Sequence, residues 1–159
     1  MALPDDAPSI AAILYESFLE YRSSYTQEAF NATTPAGGQI QIRMTEGPTW
    51  VALQDDTIVG TVSAVPKGVA LYIRGMAILP AARGQSVGEF LLREIESFGS
   101  EHGFKRLFLS TTPFLSRAIR LYEHYGFRHC SEGPHNLFGT PLVTMEKFLE
   151  SPAQEHSVY

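Results

Sequence analysis

The sequence has little cysteine, no long apolar run and no recognisable secretory leader. Cys130 is the single cysteine in 159 residues, so no internal disulfide can form. No apolar run approaches the ~18 residues that a membrane-spanning helix requires. These absences exclude a disulfide-stapled scaffold and a helical membrane protein. They predict a cytoplasmic protein with no membrane partner, and in a predicted strand Cys130 is expected to be a buried, inert thiol.

Positive charge and metal-ligand spacing are also scarce. The net charge is -5 at pH 7, the pI is near 5.5 and no basic tract occurs, which argues against nucleic acid as a partner. The five histidines are scattered, so no metal is predicted. With 44% hydrophobic residues, the chain is the size of one ordinary domain. We predict a domain over residues 1–149 and a tail over 150–159 that is disordered or an expression remnant.

Two common phosphate-binding patterns, G-x-G-x-x-G and the P-loop, are absent. The stretch from Ile78 to Leu92 nevertheless leads from an apolar strand through a small-residue loop into an amphipathic helix. Such a turn directs several backbone N–H groups at one point, where an anion is the natural ligand. Gly84, Ser86 and Gly88 would allow close approach, although glycines in such turns often have purely steric reasons.

Periodicity and turn residues predict the remaining elements. The predicted helices cover Pro8–Tyr21, a short segment from Thr26 through Phe30, a long segment after the small-residue loop, and a segment from Thr112–Pro113 to Gly126. The predicted strands are Thr49–Leu53, Ile58–Val65, Val69–Ile78, Arg106–Thr111, Phe127–Ser131 and Leu142–Phe148. The segment from Thr34 to Gly47 fits a helix or an alternating strand, and helix is preferred.

The loop from Pro80 to Gly88 resembles the acetyl-CoA pyrophosphate loop of the GCN5-related N-acetyltransferases (GNAT), whose pattern is R/Q-x-x-G-x-G/A. Arg83 and Gly88 match that pattern, while Ser86 stands where the middle glycine is usual. Serine is tolerated there if the backbone stays helical, and it is a problem only if the position requires positive φ.

A second stretch, from Arg117 to Phe127, resembles the family signature N-x-x-A-x-x-L-Y-x-x-x-G-F, with Leu115 at the asparagine position. The resemblance implies that Tyr122 is the general acid that protonates the departing CoA thiolate. A phenol with a pKa near 10 is protonated at neutral pH and can donate. The alternative is that Tyr122 is a core residue whose hydroxyl is bonded to a backbone carbonyl.

The resemblance covers nearly the whole chain and implies a fold and a donor. The fold is α/β (α+β), a single GNAT-type domain with a central mixed, mostly antiparallel twisted sheet of about six to seven strands flanked by about four helices. A strand normally precedes the first helix in this family, but only a few residues precede it here, so either the chain begins late or that strand is missing. An exposed sheet edge would favour a homodimer. The donor is acetyl-CoA. Its predicted contacts are Met76, Ala77, Ile78, Arg83, Gly84, Gln85, Ser86, Val87 and Gly88.

The acceptor site is predicted around Arg74, Tyr72 and Tyr21. Family members often carry a glutamate on the strand of Tyr72 and Arg74, so the general base is missing here and the amine is expected to lose its proton through water. We hypothesise that Arg74 binds a carboxylate or phosphate of the acceptor. The alternative is that it lies at the sheet surface or pairs with a nearby acid.

The predicted function is transfer of an acetyl group from acetyl-CoA to a primary amine of a small-molecule or amino-acid-like acceptor, directly in a ternary complex. The alternative is a non-catalytic CoA-binding sensor or interaction module, which the absent glutamate and Leu115 would suit. A nucleotide-binding regulatory domain is a third interpretation, and it would require ATP or NAD to compete with CoA.

Overall fold

The computed structural model describes residues 1–150. The predicted tail lies outside them, apart from its first residue. The described helices are α1 (Ala7–Phe18), α2 (Gln27–Thr33), α3 (Gly37–Met44), α4 (Val87–Glu101) and α5 (Ser116–His124). Short 3-10 helices cover Pro4–Asp6, Leu19–Ser24 and Pro80–Ala82. The chain thus has five α-helices in this range, against about four predicted.

The described strands are β1 (Thr49–Gln54), β2 (Thr57–Lys67), β3 (Ala70–Ile78), β4 (Arg106–Thr111), β5 (Arg128–Cys130), β6 (Asn136–Leu137), β7 (Thr140–Pro141) and β8 (Val143–Phe148). Six of them form one sheet in the order β1-β2-β3-β4-β8-β5, and β6 pairs with β7 alone. β3 and β4 are parallel and are joined through α4, while the other neighbours in this sheet are antiparallel. The predicted mixed, mostly antiparallel sheet is confirmed.

Helices cover both faces of the sheet because both faces of its inner strands are apolar. On one face Leu91, Leu92 and Ile95 of α4 are fully buried in a cluster that also holds the β3 and β4 side chains Leu71 and Leu107. On the other face α1 packs its buried side chains, Ile10, Ile13 and Leu14, in a cluster with Ala77. Burial of these apolar side chains is the main stabilisation of the fold.

Within the segment from Thr34 to Gly47, Gly37–Met44 forms the helix α3, and no strand is present. In α3, Ile40 is 4% exposed while Ile42 is 66% exposed. The alternating apolar side chains therefore do not share one buried face, as they would in a strand. The helix before it, α2, begins at the predicted cap, where Thr26 Oγ1 accepts a hydrogen bond from Ala29 N at 3.2 Å. α2 lies beside the end of α1, where Phe18 packs against Ala29 and Phe30. α3 lies beside the start of α1, where a Cβ on Gly37 would be 3.7 Å from Pro8 Cα.

The predicted loop between residues 132 and 141 contains a small hairpin, β6 and β7. Strands of two residues have no periodicity, so the sequence pattern could not reveal them. Thr26 fastens the hairpin to the start of α2: its N–H donates to Thr140 Oγ1 and its hydroxyl to Phe138 O, both at 2.9 Å. The hairpin therefore closes over the region between α2 and the sheet.

The sheet begins with β1, and within residues 1–150 no strand precedes α1. Ala2 N–H donates to Thr49 O at 2.8 Å, which attaches the segment before α1 to the start of β1. Across the same range, none of the helices is both long enough and apolar enough to cross a bilayer.

Candidate active site

The site is a cleft that opens where two parallel strands part. β3 and β4 pair only as far as Ile73 and Leu109, although β3 continues to Ile78. Beyond that point a cleft of about 630 Å³ lies between the strands, α1, the start of α4 and α5. Gly75, with φ of 63°, lies in a bulge of β3 at this point. The β3 backbone after Ile73 thus has a free edge toward the cleft.

The loop before α4 offers a row of unused backbone donors. Within the described residues, the N–H groups from Gly84 to Gly88 donate no hydrogen bond to the protein. They stand at the N-terminus of a 15-residue helix, where the helix dipole favours negative charge. The loop therefore has the geometry of an anion site and fits a pyrophosphate.

Ser86 adopts the backbone conformation that the sequence analysis identified as the problem. It precedes α4 with φ of 63° and ψ of 18°, which is left-handed and not helical. The usual glycine of the pattern avoids this strain because it has no Cβ. The loop retains its shape at a cost of about 1–2 kcal/mol in backbone conformation.

Arg83 and Gln85 are held by protein contacts. Arg83 forms an ion pair with Glu20 and donates to Ser17 O at 3.1 Å, which ties the loop to the end of α1. Gln85 accepts from Gln54 Nε2 at 2.6 Å. Eight of the nine predicted donor contacts line the cleft, and Gln85 is the exception. The ion pair with Glu20 already partly compensates the charge of Arg83.

Tyr122 lines the cleft and is 6% exposed. Tyr122 is part of the main hydrophobic cluster, as the predicted alternative expects, but in the described part of the chain its hydroxyl forms no hydrogen bond to a backbone carbonyl. Burial raises the pKa of Tyr122 well above its ordinary value, and the neighbouring Tyr25 raises it further. The phenol is protonated at neutral pH and is available to donate.

Tyr25 and Thr112 lie next to this phenol in the cleft lining. Burial raises the pKa of Tyr25 to about 12, although the Thr112 hydroxyl lies near enough to oppose the shift. Thr112 Oγ1 is itself buried and has no hydrogen-bond partner of normal geometry. Together with Tyr122 these residues place three hydroxyl groups in the inner part of the cleft.

The predicted acceptor residues Tyr21, Tyr72 and Arg74 also line the cleft. Arg74 lines the cleft, as its predicted acceptor role requires, and it also forms the ion pair of the alternative, donating to Glu46 Oε1 at 2.7 Å. Sequence reasoning missed Arg43, which enters the cleft from α3. A lone arginine on a short helix carries no motif signal.

Leu115 lies at the start of α5 and lines the cleft. Since the residue is apolar, no side-chain amide is available there for the donor's pantetheine arm. Arg117, the second residue of the same helix, adds a positive charge to the cleft lining that the sequence motifs did not indicate. Only tertiary packing shows that its side chain reaches this surface.

A second polar cluster lies away from the cleft, at the β5 edge of the sheet. Cys130 is half-buried there, where burial was predicted, and the ligand atoms of Cys130, Glu132 and Glu146 lie within 4.8 Å of one another. Arg106 forms ion pairs with both glutamates. One guanidinium holds both carboxylates, so the cluster is explained by ion pairing.

Comparison with known proteins agrees with this geometry. The family model for the acetyltransferase (GNAT) family matches residues 8–127. The uncharacterized N-acetyltransferase YjgM of Escherichia coli (strain K12) is 31% identical over 130 residues, which cover 78% of this chain and 77% of that protein. The N-acetylaspartate synthetase of Mus musculus is 32% identical over 103 residues, which cover 63% of this chain and 34% of that protein.

Solved structures have the same fold. The PaiA N-acetyltransferase of Thermoplasma acidophilum, in complex with coenzyme A, matches with a TM-score of 0.78 at 18% identity, covering 92% of this chain and 95% of that one. An acetyltransferase of Staphylococcus aureus Mu50 has a TM-score of 0.78 at 15% identity, covering 94% and 96% of the two chains. The predicted family, fold class and enzyme class are confirmed. The chain therefore belongs to the acetyltransferase (GNAT) family, and acetyl-CoA is its acyl donor.

Proposed function

We propose that this enzyme transfers the acetyl group of acetyl-CoA to a primary amine of a small-molecule or amino-acid-like acceptor, directly in a ternary complex. One observation carries the proposal: the unbonded Tyr122 hydroxyl lies in the same cleft as the unused N–H groups from Gly84 to Gly88. A leaving-group acid and an anion site in one cleft are what thioester aminolysis requires. The same observation favours an enzyme over a non-catalytic CoA-binding module.

The donor's placement follows from these groups. Its pyrophosphate binds the N–H groups from Gly84 to Gly88, and its pantetheine arm lies along the free edge of β3 from Met76 to Ile78. The thioester then lies near Tyr122. The Ile78 carbonyl also accepts from the Ser17 hydroxyl at 2.9 Å, so the end of β3 is held in position by α1.

The reaction forms a C–N bond and breaks a C–S bond. The acceptor nitrogen attacks the thioester carbonyl carbon, a β3 backbone N–H polarises the carbonyl oxygen, and the departing sulfur takes the proton of the Tyr122 hydroxyl. The amine's own proton leaves to water, and the Tyr122 phenolate regains a proton from water before the next turnover. Among residues 1–150, Glu89 supplies the one carboxylate in the cleft lining, and it pairs with Arg93 at 3.0 Å.

Direct transfer is supported by the position of the single thiol. Cys130 lies on β5, outside the cleft lining, so it is not positioned to form an acetyl-cysteine intermediate. The donor and the acceptor amine must therefore occupy the cleft together. Holding the two reactants aligned supplies much of the rate enhancement in such a reaction.

A small acceptor is supported by the closed, aromatic end of the cleft. Tyr21 and Tyr25 line it, and the β6–β7 hairpin contributes Asn136 and Leu137. The names of several relatives also indicate small acceptors: N-acetylaspartate synthetase, the IAA acetyltransferase of Azospirillum brasilense and the streptothricin acetyltransferase of Streptomyces lavendulae.

The test is a calorimetric titration of acetyl-CoA, followed by thiol release with a panel of small primary amines. We expect micromolar donor binding and initial-rate lines that intersect when both substrates are varied. Parallel lines would contradict direct transfer. Donor binding without thiol release from any amine would contradict the enzymatic proposal and favour a CoA-binding module.

Two further predictions concern the protein's surroundings. We propose a cytoplasmic location because the chain has a single cysteine and can form no internal disulfide.

We also propose a homodimer in which two copies pair through the outer edge of β1. Within the described residues that edge has one backbone partner, the Ala2 N–H to Thr49 O bond. Sedimentation velocity tests the dimer, and Val51→Pro on β1 should yield monomer because proline removes a donor from an edge strand. A monomeric wild type would overturn it.

A further inference from the structure

Two arginines from different elements meet at the acceptor end of the cleft. Arg43 comes from α3 and Arg74 from β3, and both line the cleft. Arg74 Nη2 lies 3.5 Å from the backbone oxygen of Arg43. Partial burial lowers the pKa of Arg43, and the charge of Arg74 lowers it further. The fold therefore holds two like charges close together and partly away from water, and the Glu46 carboxylate compensates one of them.

The hydrogen-bond donors of these side chains are only partly used. Arg74 donates through Nη2 to Glu46, but its Nε is buried and has no partner. Arg43 donates through Nη2 to Ala32 O at 3.0 Å. A guanidinium has five N–H donors in a planar fork that matches a carboxylate. The pair thus offers spare donors that point to an anionic ligand.

Tyr72 adds a neutral donor on the same strand as Arg74. Its side chain lines the cleft and stacks at a tilt on Phe108, with ring centroids 5.1 Å apart. Burial raises the pKa of Tyr72, and the two arginines only partly oppose that shift, so the hydroxyl keeps its proton. Among residues 1–150 this hydroxyl has no hydrogen-bond partner. It is free to donate to a ligand oxygen.

We propose that Arg43, Arg74 and Tyr72 bind a carboxylate of the acceptor, which is an amino acid acetylated on its amine. This inference rests on the proposed function and names its substrate class. The charges favour a monoanion, because two guanidinium groups and the Glu46 carboxylate leave one net positive charge. A phosphate dianion carries two negative charges, which is more than the one net positive charge of the site can balance.

The spacing along β3 favours an acceptor whose amine and carboxylate are close together. Arg74 precedes Met76, the first residue of β3 that is predicted to contact the donor, by two positions. That separation is at most about 7 Å along a strand, which an arginine side chain can bridge. An α-amino acid places its amine and carboxylate on one carbon. Phe18, Tyr21 and Tyr25 line the neighbouring wall and can contact its side chain.

The experiment compares each of several α-amino acids with its own amide and its own decarboxylated amine. Thiol release from acetyl-CoA is measured at saturating donor with the full-length protein. We expect kcat/KM to be at least tenfold higher for the acids than for the amides and amines. Aminoalkyl phosphonates of matched length test acceptors with a dianionic group. We expect their kcat/KM to be lower than that of the carboxylates.

Variants test the arginines individually. Arg43→Gln and Arg74→Gln should each lower kcat/KM for the acid at least tenfold more than for the matched amide, mainly through KM. The opposite effect is expected from Glu46→Gln, which removes a competing carboxylate and frees Arg74, so KM for the acid should fall severalfold. If these residues had a purely structural role, KM for the acid would not rise in the arginine variants and fall in Glu46→Gln. The Kd for acetyl-CoA checks that each variant is folded.

The outcomes separate the inference from the proposed function. Amides or amines acetylated as well as the acids would overturn the carboxylate site and leave the acetyltransferase proposal standing. Preference for the phosphonates would also overturn it. Failure of every amine, with donor binding intact, would contradict the proposed function, and the inference with it.

Discussion

Gly88 and Leu121 approach so closely that a Cβ on Gly88 would lie 2.5 Å from Leu121 Cδ2. Ile78 Cδ1 and Met76 Cε would lie 3.0 and 3.3 Å away. The first turn of α4 therefore packs directly on α5 and on the end of β3. A Cβ at this position would therefore force the ends of these side chains to shift, independently of any ligand.

A double-mutant cycle tests this contact. Gly88→Ala should be tolerated better in a Leu121→Ala background than in the wild type, because the second change removes the atom that the new methyl would meet. We expect a coupling energy of about 1 kcal/mol in urea unfolding. Additive effects would contradict the steric account.

The anion site is better tested at Gly84, where a Cβ meets no atom within 4 Å and φ is 79°. Asp and Asn both tolerate this conformation and differ mainly in charge. We expect Gly84→Asp to weaken acetyl-CoA binding at least tenfold, because its carboxylate repels the pyrophosphate. Gly84→Asn is the matched control and should stay within about threefold. Equal affinities in calorimetry would refute the loop assignment.

Tyr122→Phe should lower kcat about 100-fold and leave the Kd for acetyl-CoA unchanged, since only the proton donor is lost. Tyr125→Phe removes a hydroxyl from the end of the same helix, outside the cleft lining, and should keep kcat within twofold. Equal kcat values for Tyr122→Phe and the wild type would remove the catalytic role.

The pH dependence provides a second test of Tyr122. Because burial raises its pKa, the protonated form persists through the pH range in which the acceptor amine loses its proton. The kcat of the wild type should rise with pH and show no descending limb below pH ~10. A descending limb between pH 7 and 9 would contradict this assignment of the acid.

Ser86→Gly should stabilise the protein by about 1 kcal/mol, because glycine adopts the observed left-handed conformation without the Cβ strain. For a chain of this length that corresponds to a rise in Tm of roughly 2–4 °C. Ser86→Ala retains the Cβ and should show no gain. A thermal melt in which both variants match the wild type would refute the strain.

Tyr25 should make stability sensitive to alkaline pH. Its folded-state pKa of about 12 exceeds the ordinary value of 10.0, so the folded state holds this proton more tightly than the unfolded state. The contribution is complete below pH 10 and is lost as pH rises from 10 toward 12, by up to about 2 kcal/mol. In urea unfolding, Tyr25→Phe should therefore lose less stability than the wild type across that range. Equal losses of stability in Tyr25→Phe and in the wild type would contradict this link between the pKa of Tyr25 and stability.

The sequence alone predicted the elements whose signals are local. The Thr26 cap and the strands of the main sheet depend on residues within a few positions of one another, and the structure confirms them. The left-handed glycine after α5, Gly126 with φ of 101°, is another such signal. Two motifs with a long helix and a strand between them were enough to indicate the family.

Tertiary structure decided the features that depend on distant residues. The Arg83–Glu20 ion pair joins positions 63 apart, and Arg74 meets Glu46 across 28 positions. Arg43 carries no motif, yet α3 brings it to the cleft. Ser86 was identified by its motif, but only the packing of the loop between β3 and α4 required its positive φ. Periodicity reports which face of an element is buried, whereas these contacts depend on how separate elements are placed in space.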